Sequence, residues 1–235
     1  MFFLFPLLAT FLLVAAPARA DQPNGCPDYA LPLITIDKLA LPPRLNNALD
    51  LISLRQMAMD TQKQFSSQNN ETPVGLTAAS LKLDSQFEIR VRSTSNDPMV
   101  CAQISALTLH FGFDDTTVYM ARELPQNSCS YGAVLGHEQH HIAVDQALVD
   151  AMVPTLQTLL QQAVASIGVI RASSSKVAEQ QIATLIHNYM GELGAHLSDI
   201  RKKRQAQVDT PAEYDRLSRS CDGELSQIIR TERRL

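Results

Sequence analysis

A change of hydrophobic period part-way along the chain constrains the fold more than any other feature. Between residues 80 and 122 the apolar positions recur every second residue. Phe87, Ile89 and Val91 alternate with Glu88, Arg90 and Arg92, and Leu107, Leu109, Phe111 and Phe113 alternate with Thr108, His110 and Gly112. Period two puts successive side chains on opposite faces, so these segments read as half-buried strands. A third strand is expected at Val118 to Ala121, with Asp114-Asp115 as a hairpin turn before it. After Pro125 the apolar steps become three and four and stay so to the end. A long helix is expected from Ser130 to Val153, where Pro154 should kink or stop it, then a second helical stretch from Thr155 to Val164.

A turn at Gly168 and Ser173 to Ser175 leads into a helix over residues 177–205, with Ile182, Ile186, Tyr189, Leu193, His196 and Ile200 on one stripe. The last helix opens at Thr210-Pro211-Ala212-Glu213, a capping Thr, a Pro at the first helical position and a Glu three after the cap. Nearer the N-terminus, residues 21–43 form a Pro-rich extended lead-in with a short strand at Leu33 to Ile36. Leu45, Leu49, Ile52 and Met57 predict a helix over 44–62, and Gln64 to Thr72 reads as a polar loop. Strands grouped ahead of helices imply an α+β class: a small antiparallel β-sheet region with one helix over 21–125, then a helical half over 126–235.

The first twenty residues are an apolar run ending in Ala18-Arg19-Ala20, the small-x-small pattern of a signal-peptidase site. Residues 1–20 therefore read as a signal peptide and 21–235 as one domain, periplasmic or secreted. The best later apolar stretch, residues 155–170, is interrupted by Gln157, Gln161 and Gln162, so no membrane span is expected after cleavage. A net charge of −4 lacks the basic footprint of a nucleic-acid binder. Four cysteines, Cys26, Cys101, Cys129 and Cys221, with no CxxC spacing, fit two disulfides in an oxidising compartment. Three connectivities are open. Cys26–Cys101 with Cys129–Cys221 is favoured because it would tie each terminus to the body, whereas Cys101–Cys129 would staple a local hairpin.

The chemistry is concentrated in Gly136-His137-Glu138-Gln139-His140-His141, an H-E-x-x-H pattern from His137 to His141. Residues four apart on a helix stand one above the other, so both imidazoles can grip one zinc ion while Glu138 reaches a water beside it. With 6 His in 235 residues, a chance match is expected about 0.006 times, so composition does not account for it. Val134, His141, Val144 and Leu148 lie on a common stripe that turns the histidines inward.

This motif resembles that of the zincin metallopeptidases. The order of the chain is similar to a bacterial family described as secreted zinc-dependent proteases: a β region containing a Cys, the metal helix, then a long helix leading to an Asp-Thr segment. The specific likeness covers residues 129–145 and, more weakly, Gln205 to Tyr214. It implies a zincin-like domain, a bound Zn2+ and a peptide or protein substrate.

Catalytic zinc takes three protein ligands and keeps one open position. Position 144 is Val and position 147 is Ala, so the extended metzincin signature, which would supply a third His, is absent. The family's later segment carries an Asp and then a His five residues on. Here Asp209 is present but position 214 is Tyr, which makes the adjacent Glu213 the first candidate, with Asp209 and His196 as alternatives. Asp145 stands eight residues from His137, about 12 Å along a helix, and is expected to accept an imidazole N–H instead of ligating the ion.

His140 is expected to be exposed and His110 to sit on the polar face of its strand. Arg201 to Arg204 complement a helix C-terminus, and Tyr119 or Tyr214 could donate to an oxyanion. These features together predict an exported zinc-dependent hydrolase, a metallopeptidase with Glu138 as general base. The strand near Leu107 to Phe113 would hold an extended peptide by edge pairing. The alternative is a non-catalytic periplasmic zinc-binding or interaction protein.

Overall fold

The computed structural model describes residues 25–63, 73–93 and 98–232. The expected signal peptide at 1–20 and the expected loop at 64–72 lie outside these residues. The described elements run β1 (Leu33–Ala40), β2 (Arg44–Asn46), α1 (Leu51–Lys63), β3 (Gly75–Ser93), β4 (Val100–Met120), α2 (Cys129–Ile167), β5 (Ile170–Ala172), α3 (Ser175–Gln205), α4 (Pro211–Arg219), a short 3-10 turn (Cys221–Gly223) and α5 (Glu224–Glu232).

The α+β class holds, but the sheet is mixed, not antiparallel. β4 is its axis. One edge pairs antiparallel with β3 over almost its full length. The other edge carries three short strands end to end: β5 antiparallel at Val100 to Ala102, β1 parallel at Ala106 to Phe113, and β2 parallel at Thr117 to Tyr119. Parallel pairing needs a crossover, and the passage from β2 through α1 to β3 supplies it. With both edges of Leu107 to Phe113 occupied, the expected docking of a peptide along that strand is ruled out.

No hairpin turn occurs at Asp114-Asp115, because β4 runs straight through it. Ala79 pairs Thr116 and Leu81 pairs Phe113, so Asp114 and Asp115 together face the single residue Ser80. A second bulge puts Ser105 into β4 between the Ile89–Ile104 and Glu88–Ala106 pairs. Each extra residue flips the parity of burial. The buried side chains of the inward alternation are Ala102 and Ile104, then Leu107, Leu109, Phe111 and Phe113, then Thr116, Val118 and Met120, and Cys101 and Thr117 are buried outside it.

The predicted helix over 44–62 divides. Arg44–Asn46 is strand, and α1 begins only after Asp50, whose carboxylate accepts the Ser53 N–H at 2.8 Å as a cap. Its buried stripe is Leu51, Leu54 and Ala58, while Leu45 and Ile52 are exposed.

α2 does not stop at Pro154 but continues for 39 residues, about 58 Å. Proline removes the bond to the Asp150 carbonyl. Asp150 and Pro154 are both exposed, so that carbonyl is open to solvent and the helix persists. α3 returns antiparallel along α2: Tyr189 donates to the Leu159 carbonyl at 3.2 Å, and Arg201 reaches back to Asp145. Its core stripe is Ile182, Ile186, Met190, Leu193 and Leu197. Pro211 opens α4 as expected, with the Thr210 side chain accepting from the Glu213 N–H. The final helix is broken, however: Cys221, Asp222 and Gly223 all adopt positive φ before α5 starts.

Two hydrophobic clusters result. One lies between the sheet, the C-terminal half of α2 and α3, and includes Leu107, Phe111, Leu156, Leu160, Ile182 and Leu197. The second joins α1, the end of β4, the start of α2 and the last helices through Leu54, Met120, Val134, Leu217 and Leu225. Disulfides Cys26–Cys101 and Cys129–Cys221, each with Cα atoms 5.7 Å apart, have the favoured connectivity. They fit an oxidising compartment outside the cytoplasm. Among the described residues no helix is long and apolar enough to cross a membrane.

Candidate metal centre

His137 and His141 lie in the third and fourth turns of α2, which Ser128 caps by accepting the Tyr131 N–H at 3.1 Å. His137 is 6% exposed and Glu138 4%. Facing them is the turn between α3 and α4, where the Val208 and Asp209 N–H groups return to the Gln205 carbonyl. That turn presents Asp209 just ahead of the α4 cap. The Cys129–Cys221 disulfide ties the first residue of α2 to the segment after α4, and Leu217 of α4 packs in the same cluster as Val134.

The three side chains converge on one point. His137 Nε2 and His141 Nε2 are 3.3 Å apart, and Asp209 Oδ1 lies 3.3 Å from the first and 3.2 Å from the second. A tetrahedral ion bound at about 2.0 Å separates its ligand atoms by about 3.3 Å. The triangle therefore has the dimensions of three corners of such a tetrahedron, and His137, His141 and Asp209 could hold a metal ion. Two imidazoles and a carboxylate are also chemically suited to a divalent transition metal.

The remaining ring nitrogens are held from behind. His137 Nδ1 lies 3.3 Å from Glu213 Oε1, and Glu213 is gripped by Arg216 at 2.7 and 2.8 Å. Since the carboxylate only accepts, Nδ1 of His137 is the donor and Nε2 stays free for a metal. His141 Nδ1 lies 2.5 Å from Gln205 Oε1.

The order of candidates for the third ligand changes accordingly. Glu213 sits on the outer nitrogen of His137 and not at the convergence point, and Asp209 occupies that point. His196 is exposed on α3. The stripe Tyr189, Leu193, His196 shares Leu193 with the true stripe Met190, Leu193, Leu197, and a helical pattern allows either. Asp145 is buried, yet it touches no imidazole. It accepts from Arg201 at 2.7 and 2.8 Å and from Gln205 Nε2 at 2.7 Å, one residue further from the ring than anticipated. Arg201 also lies over Phe113, 5.0 Å from the ring centre, so it is more than a dipole complement.

Glu138 points between the helix and β3. Thr77 donates its hydroxyl to Glu138 Oε2 at 2.7 Å. Gly75 approaches so closely that a Cβ there would stand 2.6 Å from Glu138 Oε1 and 2.7 Å from Val134 Cγ1. Tyr214 donates to Asp209 Oδ1 at 2.9 Å. Tyr119 lies in the second hydrophobic cluster, and His110 pairs with Asp37 at 3.6 Å on the sheet. His140 is exposed. Thr77, Gly75 and Gln205 were not singled out from the sequence as site residues. Thr77 and Gly75 precede Glu138 by about sixty residues on a strand without any local motif, and Gln205 stands out only as the start of the weakly resembling segment.

Burial pushes the histidine pKa values down, but Asp209 more than reverses this. His141 is raised to about 9 by the hydrogen bond and charge of Asp209, with help from Gln205. His137 is raised in the same way, with Glu138 adding its charge. Burial opposes ionisation of Asp209 as well, yet its bonds to both histidines and Tyr214 hold it far below the usual carboxylate range. Glu138 is raised by burial against the lowering effect of Thr77. A proton on Nε2 of His141 and a metal ion thus compete for the same gap beside Asp209. Comparison of the chain with protein-family models, with curated proteins and with solved structures finds no match.

Proposed function

We propose that this protein is an exported zinc-dependent hydrolase, most simply a metallopeptidase. The observation that carries the reading is the 3.2–3.3 Å triangle of His137 Nε2, His141 Nε2 and Asp209 Oδ1 beside the buried carboxylate of Glu138. Three protein ligands leave one tetrahedral corner open, as catalytic zinc requires. Bound zinc supplies a water of lowered pKa and a positive charge for a developing oxyanion.

The chain does the rest. Glu138 accepts the proton of the attacking water. Thr77 holds Oε2 of Glu138, so Oε1 is the oxygen left for the proton, and Gly75 gives it room. The raised pKa of Glu138 moves it toward neutrality, where a carboxylate is a stronger base. β3 pairs only with β4 among the described residues. Its outer edge, starting at Gly75 beside Glu138, is therefore the edge on which an extended peptide would lie.

Substitution of Glu138 by Gln tests the proposal. The expected result is unchanged zinc content with hydrolysis of a mixed peptide library reduced by about 10²–10⁴-fold. Equal hydrolysis by the variant would refute the assignment of the base. Zinc binding without hydrolysis in the parent protein would favour the non-catalytic alternative.

A further inference from the structure

We propose that Gln205 is a positioning residue that fixes the tautomer of His141 and thereby keeps its Nε2 lone pair available to a metal ion. The inference rests on the metal-holding part of the function proposed above, and its test does not require hydrolysis.

An amide side chain has two ends of opposite character, and here the surroundings decide which end faces which way. Gln205 Nε2 lies 2.7 Å from Asp145 Oδ1 and 3.0 Å from the main-chain oxygen of His141. Both neighbours only accept, so this end must be the NH2 group and must donate twice. Oε1 is then the end facing Nδ1 of His141. An amide oxygen only accepts, so Nδ1 carries a proton in either charge state, and once the ring is neutral the lone pair is on Nε2.

The orientation is locked from further back. Asp145, 3% exposed, is held by the fork of Arg201 at 2.7 and 2.8 Å. Arg201 and Gln205 are one turn apart on α3, and Asp145 and His141 one turn apart on α2. The chain Arg201, Asp145, Gln205, His141 therefore crosses between the two helices three times. His137 is secured differently, by the carboxylate of Glu213.

The same geometry says why position 205 holds Gln and not Glu. A glutamate would put a second carboxylate oxygen 2.7 Å from the buried Asp145 and against a carbonyl, with no donor between them. If residue 205 merely supplied an acceptor to the imidazole, a carboxylate would serve better than an amide.

The test is a zinc competition titration on the full protein and on Gln205→Met and Gln205→Glu. Loss of a partner at this distance from a metal weakens binding by about 10–100-fold, and both variants are expected to fall in that range, Gln205→Glu by at least as much as Gln205→Met. Parent-like or tighter zinc binding by Gln205→Glu, or less than a twofold change in Gln205→Met, would overturn the proposal. Should both variants lose their folded circular dichroism, imidazole nitrogen NMR of the unaltered zinc-free protein decides. A proton on Nδ1 of neutral His141 is expected, and one on Nε2 refutes the assignment. A parent that binds zinc yet cleaves no peptide would sink the hydrolase reading while leaving these results in place.

Discussion

Replacement of Asp209 by Asn separates the two carboxylates near the histidines, and its effect should depend strongly on pH. Asparagine keeps the shape of the side chain and removes its charge. A structural zinc site binds with about 10–16 kcal/mol over four donors, or about 2.5–4 kcal/mol per donor. Loss of one donor is therefore worth about 10²–10³-fold in Kd. At pH 7 part of this is hidden, because Asp209 also holds the competing proton. With His141 raised to about 9, the parent at pH 7 must release that proton for zinc, which weakens its apparent affinity by about 10²-fold. Without the Asp209 charge the imidazole returns toward its usual range and this competition disappears.

Chelator competition titrations should accordingly show a gap of about 10²–10³-fold between parent and Asp209→Asn at pH 9.5, narrowing to about tenfold or less at pH 7. Glu213→Gln, acting on the outer nitrogen of His137, should cost about tenfold, with no comparable pH dependence. Tight zinc binding by Asp209→Asn at pH 9.5 together with loss in Glu213→Gln would refute the assignment of the ligand.

Gly75→Ala should abolish most hydrolysis while leaving zinc affinity within a fewfold of the parent, because the new Cβ displaces Glu138 and Val134 and not the histidines. Its melting temperature should report about 1–3 kcal/mol of overpacking. Protein stripped of zinc should lose stability as pH rises from about 6.5 through about 9, since the raised His141 pKa favours the folded state only while the imidazole is protonated. Urea denaturation at several pH values measures this, and a flat profile would contradict it. Replacing Cys129 and Cys221 together by Ala removes a link across a separation of 92 residues, worth about 4–5 kcal/mol by loop entropy. Saturating zinc should restore part of the lost thermal stability, because Asp209 and the two histidines tie the same segments together.

Where local chemistry decides structure, the sequence was readable. The cap of α4, the helical course of α3 and the face shared by His137 and His141 all follow from residues within a turn or two of each other. Misreadings came where distant pairing decides. The broken alternation at Asp114-Asp115 is the same signal for a turn and for a bulge, and only the facing strand β3 distinguishes them. Leu45 entered a helical pattern because spacing alone does not reveal that it pairs beside Val118. His196 and Leu197 are neighbours on patterns of equal period, and the packing of α3 against the sheet and α2 selects Leu197. At the site, the H-E-x-x-H spacing puts His137 and His141 on one face because they are four positions apart on one helix, with Glu138 one step on. Asp209 and Glu213 are also four apart, so spacing could not say which of them reaches Nε2 and which Nδ1. That depends on the turn after Gln205 and on the tether through Cys221.

Anomalous diffraction from zinc-loaded crystals tests the central claim most directly. The account predicts one ion about 2.0–2.2 Å from Nε2 of His137, Nε2 of His141 and Oδ1 of Asp209, with a water in the fourth position close to Glu138. An ion ligated by Glu213, or one whose fourth position is closed by another protein side chain, would contradict it.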